Sequence, residues 1–382
     1  MGMTVERPAV LKGLEDVYVK ESKICLVDGV KGRLLYVGYD IRDLAEHSSF
    51  EETCYLLWNA RLPLQSELEM TRRAIGEERK VPKEVFDVLR RLSRTTVPID
   101  ALRTAVSALA AYDPELADQS RDANLRKALR VTAKVATLVA AIHRIREGKR
   151  PIPPDPDRGH AEDLLRMLTG KAPDPTMARI LDVALILHAD HSLNASTFGA
   201  TVAASTLADL YSTVVAGIAT LKGPLHGGAN EQALKTLLKI GSPANAETFV
   251  QRALAQHEKM PGFGHRVYKN FDPRALILRE HAKALAERSG DMNLFDTATA
   301  VQDVMLRELQ ERKIYPNVDF YSGVTYYLMG LPPDVFTPIF AVSRVSGWTA
   351  HVIEYWQSNR ILRPLDYYIG PTEAEYIPVD QR

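Results

Sequence analysis

Apolar residues recur at helical spacing along most of this chain, and they alternate with polar residues in only one stretch. From Ile24 to Tyr39 the alternation surrounds Val27-Asp28-Gly29 and Gly32, a combination that predicts a short β-hairpin. Beyond the hairpin the helical period dominates, with interruptions, as far as about Trp356. The pattern therefore predicts a mainly α protein with a short N-terminal β-hairpin.

Short polar motifs mark several predicted helix starts. Ser49 with Glu52, and Ser66 with Glu69, fit the capping-box pattern, in which each side chain accepts the other residue's backbone N–H. In Asp272-Pro273-Arg274 an aspartate cap precedes a proline, which suits the first turn of a helix. Each of these motifs predicts a helix that begins directly after the capping residue.

The length and two unusual segments together predict two domains. A chain of 382 residues can bury a large core and exceeds the usual single domain. Residues 223–230 and 315–323 hold the most unusual residues of the helical part. We expect these segments to form a cleft at a hinge between a small inserted domain, 223–323, and a large domain made of 1–222 and 324–382. The large domain ends in an extended C-terminal arm.

Composition and charge exclude several classes of function. Lysine plus arginine and aspartate plus glutamate each number 48, without a block of like charge, so neither a nucleic-acid partner nor a membrane surface is expected. Cys25 and Cys54 are too few for a disulfide scaffold or a metal cage, and a reducing cytoplasm is the expected compartment. Phe198–Leu221 is the stretch nearest to a membrane span, but its small residues and Asp209 predict one tightly packed buried helix.

Three stretches that contain histidine are candidate sites of chemistry. In the first, His188 and His191 lie one helical turn apart at the end of an apolar helix, as metal ligands could. A glutamate-bearing zinc motif does not accompany them, so we expect no metal there. In the second, Gly223-Pro224-Leu225-His226-Gly227-Gly228 displays its histidine at a bend among backbone N–H groups. A glycine-rich turn between helices is the alternative.

The third stretch, Lys259–Tyr268, contains Gly262-x-Gly264 directly before His265. Val267 stands where a dinucleotide-binding fingerprint has its third glycine, and the pattern predicts no preceding strand, which excludes that fingerprint. The glycines still allow backbone amides to approach a ligand closely, and basic residues flank them. The loop is therefore either a phosphate-binding segment for a cofactor or a solvated basic loop.

One carboxylate and two arginines stand where charge is unusual. Asp319 lies among aromatic residues, where burial would raise its pKa and make it a better base; a turn that caps the next helix is the alternative. Arg274 falls in the first turn of its predicted helix, where the helix dipole disfavours a cation, so a nearby anion would explain it. Arg344 is the only formal charge between Asp334 and Glu354, and it must be paired or face a cavity.

Taken together in chain order, these motifs resemble citrate synthase, and the resemblance runs from the hairpin to the tail. Seven spaced motifs carry it: Asp190-His191-x-x-Asn194, Gly223-Pro224-Leu225-His226-Gly227, Pro261-Gly262-Phe263-Gly264-His265, Asp272-Pro273-Arg274, Pro316-Asn317-Val318-Asp319, Ser343-Arg344 and Arg363-Pro364. The continuation His265-Arg266-Val267-Tyr268 is similar to the shorter archaeal and bacterial type.

The resemblance implies the two-domain helical fold of that family and an acyltransferase of the tricarboxylic acid cycle. Acetyl-CoA, oxaloacetate and water would give citrate and CoA by enolisation, aldol-type addition and thioester hydrolysis. By resemblance, Asp319 removes the methyl proton, His226 stabilises the enolate oxygen and His265 protonates the oxaloacetate carbonyl. Acetyl-CoA is a co-substrate, and the resemblance implies neither a permanently bound cofactor nor a metal.

The family's binding residues also match positions of this chain. The oxaloacetate-binding residues match His191, Arg274, Arg344 and Arg363, and planar guanidinium groups suit the two carboxylates of that substrate. The segment that wraps the adenine end of CoA matches Lys259, Met260, Pro261, Gly262 and Phe263. The resemblance further implies a homodimer in which Arg363 completes the site of the partner subunit.

Three alternatives stay open at the level of sequence. A 2-methylcitrate synthase would use propionyl-CoA, and a dual-specificity enzyme would accept both acyl-CoAs, because one methylene in an apolar pocket is worth only about 1–3 kcal/mol. A metal-dependent hydrolase built on His188, Asp190 and His191 would lose its activity in EDTA. The third alternative is a non-catalytic CoA-binding protein, which would not need Asp319, His226 and His265 to be intact.

Overall fold

The computed structural model of this chain describes residues 9–382, so the first eight residues of the predicted large domain lie outside the described part. Within it the strands are β1 Cys25–Asp28, β2 Arg33–Tyr36 and β3 Tyr39–Asp40. The α-helices of the same range are α1 Ile41–His47, α2 Phe50–Asn59, α3 Gln65–Glu78, α4 Lys83–Arg91, α5 Pro98–Leu109, α6 Arg121–Arg146, α7 His160–Thr169, α8 Pro175–His188, α9 Ala195–Ser205, α10 Leu210–Leu221, α11 Ala229–Ile240, α12 Ala246–Ala255, α13 Pro273–Ser289, α14 Asn293–Leu309, α15 Val318–Leu328 and α16 Phe336–Trp356. The predicted mainly α fold is confirmed.

The strands form one antiparallel sheet in the order β1-β2-β3. Cys25 of β1 pairs with Tyr36 of β2, which confirms the predicted hairpin. The short strand β3 was not predicted, because two residues are too few to show alternation. The buried hydroxyl of Tyr36 donates to the carbonyl of Asp190 at 2.9 Å, so the sheet is held against the end of α8.

Two of the predicted helix starts are found in the structure. The Ser49 hydroxyl accepts the backbone N–H of Glu52 at 3.3 Å at the start of α2. The Asp272 carboxylate accepts the backbone N–H of Arg274 at 3.0 Å at the start of α13. Local capping chemistry is therefore enough to begin both helices.

The predicted start after Ser66 is wrong. α3 begins at Gln65, and Ser66 lies inside its first turn. The reason is a neighbouring carboxylate: Glu67 accepts the backbone N–H of Leu64 at 2.7 Å and so supplies the capping interaction two residues earlier.

The prediction of one buried helix over Phe198–Leu221 is also wrong, because α9 and α10 divide that stretch. Asp209 caps α10, and its carboxylate accepts the backbone N–H of Ser212 at 3.0 Å. An aspartate predicted in a helix interior is in fact the residue that starts a new helix. None of the helices within residues 9–382 is both long enough and apolar enough to cross a membrane.

α16 is the centre of the core. Every residue from Phe336 to Ile353 is buried, and α16 contacts α2, α6, α8, α9 and α10. The helix ends at Trp356, as predicted, and an exposed segment without regular helix or strand follows as far as a short 3-10 turn at Val379–Gln381. A charged residue within α16 is consequently held rigidly inside the protein.

The helices of the predicted small domain pack largely on one another. α11 contacts α14 and α15, α12 contacts α14, and α13 contacts α15. α11 also contacts α16, and α13 contacts α1 and α8, which join this group to the remaining helices. The predicted boundary at Gly323 falls inside α15. The segment after α8 contacts the turn before α11 through Ser196 and His226, and the loop before α13 through His191 and His265.

Candidate active site

Three histidines that are far apart in sequence come together beside the end of α8. His191 follows α8, His226 lies in the turn between α10 and α11, and His265 lies in the loop between α12 and α13. The ring centroids of His191 and His265 are 5.1 Å apart. His191 Nε2 lies 3.3 Å from the hydroxyl of Tyr268. Burial, Arg274 and His265 hold the pKa of His191 well below its usual value.

The hydrogen bonds of His226 fix its tautomer. Its Nε2 lies 3.3 Å from the backbone N–H and 2.8 Å from the hydroxyl of Ser196. Because a backbone N–H can only donate, Nε2 accepts and the ring proton is on Nδ1. Burial and the charge of Arg344 lower the pKa of His226 to about 4. His226 is therefore a neutral ring with an Nδ1–H left to donate.

His265 has the opposite tautomer. Its Nδ1 accepts the backbone N–H groups of Val267 and Tyr268, both at 3.0 Å, so the ring proton is on Nε2. Burial and the charge of Arg274 lower the pKa of His265 to about 4. The two histidines thus present donors from different ring nitrogens.

Asp319 is a half-buried residue in the first turn of α15. Asn317, not Asp319, caps this helix, and the Asn317 side chain accepts the Asp319 N–H at 3.0 Å. Asp319 Oδ1 is buried without a hydrogen-bond partner within residues 9–382. Burial raises the pKa of Asp319 to about 6, although Arg274 and Arg344 act in the other direction. The result is a carboxylate with a raised proton affinity and an unused oxygen.

Arg274 is buried and paired with the cap of its own helix. Its Nε and Nη2 donate to the two carboxylate oxygens of Asp272 at 3.0 and 2.8 Å. The anion that the sequence led us to expect beside Arg274 is thus present in the chain itself. Asp272 also accepts the backbone N–H of Val318 at 3.1 Å, which joins the starts of α13 and α15.

Arg344 is buried in α16 and forms no ion pair with a described carboxylate. Its Nε donates to the carbonyl of His188 at 2.6 Å, and its Cζ lies 4.6 Å from the ring centre of Phe340. Burial lowers the pKa of Arg344 to about 10, so the group stays charged at neutral pH. A buried cation of this kind is suited to an anionic ligand.

Arg363 differs from the other six candidates in its exposure. It is exposed in the segment after α16 and forms no described hydrogen bond or ion pair with them. The charges of Arg274 and Arg344 act to lower the pKa values of both Asp319 and His191, and the charge of Arg344 acts to lower that of His226. The single chain therefore brings together His191, His226, His265, Arg274, Asp319 and Arg344.

The loop Lys259–Phe263 is tied to the segment that precedes Asp319. Asn317 donates its backbone N–H to the carbonyl of Gly262 and its side-chain N–H to that of Gly264, both at 2.9 Å. Gly262 has φ +82°, and a Cβ there would lie 2.8 Å from Phe320. Lys259 is exposed and Met260 buried, while Pro261 and Phe263 are half-buried. The loop and the catalytic candidate Asp319 consequently form one unit.

The geometry does not support the interpretation of His188 and His191 as metal ligands. His188 Nδ1 lies 2.7 Å from the carbonyl of Ala184, and its ring meets the edge of Phe340 with centroids 4.9 Å apart. His188 is thus a core residue, and His191 faces Tyr268 instead. Residues 9–382 contain no group of three or more His, Cys, Asp or Glu side chains arranged to hold a metal ion.

Three supporting residues were not predicted as parts of the site. Asn194 caps α9 by accepting the backbone N–H of Ser196 at 3.1 Å. The indole N–H of Trp348 donates to the Ser196 hydroxyl at 3.1 Å, and Ser196 in turn holds His226. The cap at Asn194 was not predicted, and no local pattern indicates that Ser196 contacts a histidine 30 residues later.

A separate cavity of about 660 Å³ lies between α4, the end of α6 and the connector that follows. Its basic lining includes Arg90 and Arg146, each in the last turn of its helix. Cations are favoured at helix C-termini, so these side chains are explained without a ligand. The candidate site is therefore identified by its chemical groups and not by the size of a cavity.

The comparisons with known proteins agree with one another. The family model "Citrate synthase, C-terminal domain" matches residues 13–365. "Citrate synthase 2" of Bacillus subtilis is 46% identical over 372 residues, which cover 97% of this chain and 99% of the relative. The structure of citrate synthase from Pyrobaculum aerophilum has a TM-score of 0.93 and 46% identity. The alignment covers 98% of this chain and 95% of the Pyrobaculum chain.

A third comparison concerns a structure with ligands. A ternary complex of carboxymethyl coenzyme A and oxaloacetate with the citrate synthase of Thermoplasma acidophilum has a TM-score of 0.92 and 34% identity. The alignment covers 98% of this chain and all of that chain. The similarity thus extends over the whole fold described above.

Proposed function

The chain belongs to the citrate synthase family, and on that premise we propose that His226, His265 and Asp319 carry out its reaction. The activity is that of a citrate synthase, in which acetyl-CoA, oxaloacetate and water give citrate and CoA. The observation that carries the assignment of residues is that two neutral histidines with opposite tautomers share the charges of Arg274 and Arg344 with Asp319, whose buried Oδ1 has no hydrogen-bond partner within residues 9–382.

Enolisation is the difficult step, because a thioester methyl group is a very weak acid. In our proposal Asp319 accepts the methyl proton, and its raised pKa makes it a better base than an ordinary aspartate. The Nδ1–H of His226 donates to the thioester oxygen, where negative charge develops. A neutral imidazole suits this role, since it stabilises the enolate without adding an ion to the site.

His265 serves the second substrate. Its Nε2–H is free to donate to the carbonyl oxygen of oxaloacetate, and a bound dianion would raise the pKa of this ring. Proton delivery to that oxygen then accompanies formation of the carbon–carbon bond. Water finally hydrolyses the citryl thioester, which releases CoA and completes the reaction.

Oxaloacetate is bound by arginines and one histidine in this proposal. Arg344 has a guanidinium without an acidic partner among the described residues, and Arg274 lies beside the same group of histidines. Planar guanidinium groups bind carboxylates with two parallel hydrogen bonds. His191 would contact the substrate between them, and Arg363 would come from the partner subunit of a homodimer.

We assign the CoA contact to the loop Lys259, Met260, Pro261, Gly262 and Phe263. Its connection to Asn317 supports this, because a thioester bound along the loop would lead toward Asp319. Lys259 is exposed and available to a phosphate. We further propose that the enzyme works in the cytoplasm without a permanently bound cofactor or metal. The proposed domains are a small one, 223–323, inserted into a large one made of 1–222 and 324–382.

The test is release of CoA thiol by the purified chain, in EDTA, from a panel of acetyl-CoA, propionyl-CoA and longer acyl-CoAs. We expect release only when oxaloacetate is present, with acetyl-CoA preferred. A preference for propionyl-CoA would assign the chain to the 2-methylcitrate synthases. Release that is independent of oxaloacetate, or that requires a divalent ion, would overturn the proposal.

A further inference from the structure

A buried polar chain leads from the N-terminal segment to the turn that carries His191. Lys20 Nζ lies 2.9 Å from His351 Nδ1 and donates at 2.9 Å to the carboxylate of Glu354. On the other side of the ring, His351 Nε2 lies 3.1 Å from Asp190 Oδ2. His351 and Asp190 are almost completely buried. The reaction proposed above uses none of these groups.

The donors and acceptors along this chain have only one consistent arrangement. An ammonium group has no acceptor, so Lys20 donates to Nδ1 of His351. The ring proton of His351 is therefore on Nε2 and points at Asp190. Lys20 thus fixes the tautomer of a histidine that gives a buried carboxylate a charge-assisted hydrogen bond.

Asp190 in turn holds a strained backbone turn. The oxygen that accepts from His351 also accepts the backbone N–H of Ser192 at 3.0 Å. Ser192 has φ 54°, a left-handed conformation that costs energy for a residue other than glycine. His191 lies between the two residues, so the direction of its side chain depends on this turn.

The same carboxylate lies beside Arg344. Although burial lowers the pKa of Arg344, the charge of Asp190 acts to raise it. A Cβ on Gly347, one turn along α16, would lie 2.5 Å from Asp190 Oδ1, which shows how closely the carboxylate packs on this helix. Arg344 and Asp190 nevertheless form no ion pair. Without the hydrogen bond from His351, Arg344 is the cation toward which Asp190 would move.

We infer that His351 is a positioning residue for oxaloacetate binding. Its Nε2–H holds the Asp190 carboxylate on the Ser192 turn and away from Arg344, so that His191 and Arg344 both stay directed at the substrate. The inference rests on the proposed function, in which those two residues bind oxaloacetate. It adds one requirement for oxaloacetate binding beyond the binding residues themselves: a hydrogen-bond donor at the position of His351 Nε2.

The test compares His351→Gln with His351→Asn. A glutamine side chain places its amide nitrogen near the position of Nε2 and keeps the donor to Asp190, whereas asparagine reaches only the position of Nδ1. We expect His351→Asn to raise the Kd for oxaloacetate by about tenfold or more, by calorimetry, since the buried carboxylate keeps its donor at Ser192 but loses the one from α16. His351→Gln should stay within about threefold of the wild type.

The second readout separates binding from chemistry. With saturating oxaloacetate, kcat and the KM for acetyl-CoA should differ by less than about threefold between the two variants, because Asp319 and His226 are untouched. Circular dichroism and thermal unfolding of both variants check that each is folded. A purely structural role would lower the stability of both without this difference between the substrates.

His191→Ala, measured in parallel, distinguishes a failure of the proposed function from a failure of the inference about His351. Normal oxaloacetate binding by His191→Ala would refute the proposed role of His191 and with it the premise of the inference. If His191→Ala binds weakly but His351→Asn binds like the wild type, only the inference fails. Equal weakening by His351→Gln and His351→Asn would also overturn it, because the donor to Asp190 would then not matter.

Discussion

Two histidines of similar burial carry their ring protons on opposite nitrogens, and backbone amides decide which. Ser196 directs its N–H at Nε2 of His226, whereas Val267 and Tyr268 direct theirs at Nδ1 of His265. A backbone N–H cannot reverse its role, so each ring is left with one donor. The chemistry of both residues is thus set by atoms that every amino acid possesses, placed by a cap and a tight loop.

The pH dependence of turnover should follow Asp319. Its pKa is raised to about 6, and the general base must be ionised, so kcat/KM for acetyl-CoA should fall as the pH is lowered through about 6. His226 and His265 have pKa values lowered to about 4 in the ligand-free protein, so both rings are neutral over this range before oxaloacetate binds. A rate profile from pH 5 to pH 8 measures this. A profile that is flat down to pH 5 would contradict the assignment.

The variant Asp319→Asn tests the same group by removal. Asparagine keeps the shape but cannot accept the methyl proton, so kcat should fall by roughly 10²–10⁴-fold. The Kd for oxaloacetate should stay close to the wild-type value, because the loss belongs to the chemical step. Steady-state kinetics and calorimetry measure the two effects. Normal turnover in this variant would show that Asp319 is only a residue of the helix start.

At the scale of elements, the site is assembled from the ends of helices and the loops before them. The Asp272 carboxylate joins the starts of α13 and α15, and Asn317 joins the start of α15 to the loop at Gly262. Helix starts offer free backbone N–H groups, which these polar side chains satisfy. A displacement of one loop would therefore move Asp319 as well.

This coupling can be tested with two glycines of the same loop. Gly262 and Gly264 both have φ +82°, but only at Gly262 would a Cβ collide, at 2.8 Å from Phe320; at Gly264 the nearest atom is 3.9 Å away. Each alanine variant should lose about 1–2 kcal/mol from the left-handed conformation. Only Gly262→Ala should also raise the KM for acetyl-CoA and lower kcat, by about tenfold. Equal kinetics in both variants would disprove the coupling.

The sequence predicts what is local and misses what is distant. The caps Ser49 and Asp272 could be predicted because donor and acceptor lie within three residues of each other. Asp209 was misplaced because an aspartate looks the same in a helix interior and at a cap until the chain is seen to bend. The contact of His351 with Asp190 joins residues 161 positions apart, and neither periodicity nor a motif encodes it.

At the scale of the whole molecule, the two arginines proposed to bind oxaloacetate come from different predicted domains. Arg274 lies in the predicted small domain and Arg344 in the large one, so oxaloacetate bridging them would favour a closed arrangement by its differential affinity. We expect saturating oxaloacetate to reduce the radius of gyration in solution scattering and to slow proteolysis. The variant Arg344→Gln should show neither change. An identical response of the two proteins would count against closure by a bridging ligand.

The C-terminal segment is poorly covered by its own subunit. Leu365 and Ile369 are 85% and 82% exposed, which is a high apolar exposure for a segment with little structure of its own. Arg363 stands at the beginning of this segment and is itself exposed. A symmetric dimer would cover the apolar side chains and bring Arg363 to the partner's site.

Mixed dimers decide whether Arg363 acts across the interface. Asp319→Ala and Arg363→Ala, each inactive alone, are unfolded together and reassembled. If Arg363 serves the partner's site, each mixed dimer contains one site with both changes and one with neither. Random pairing makes about half of the dimers mixed, so activity should return to roughly one quarter of the wild-type value. If Arg363 serves its own subunit, every site carries a change, and no activity will return after verified subunit exchange.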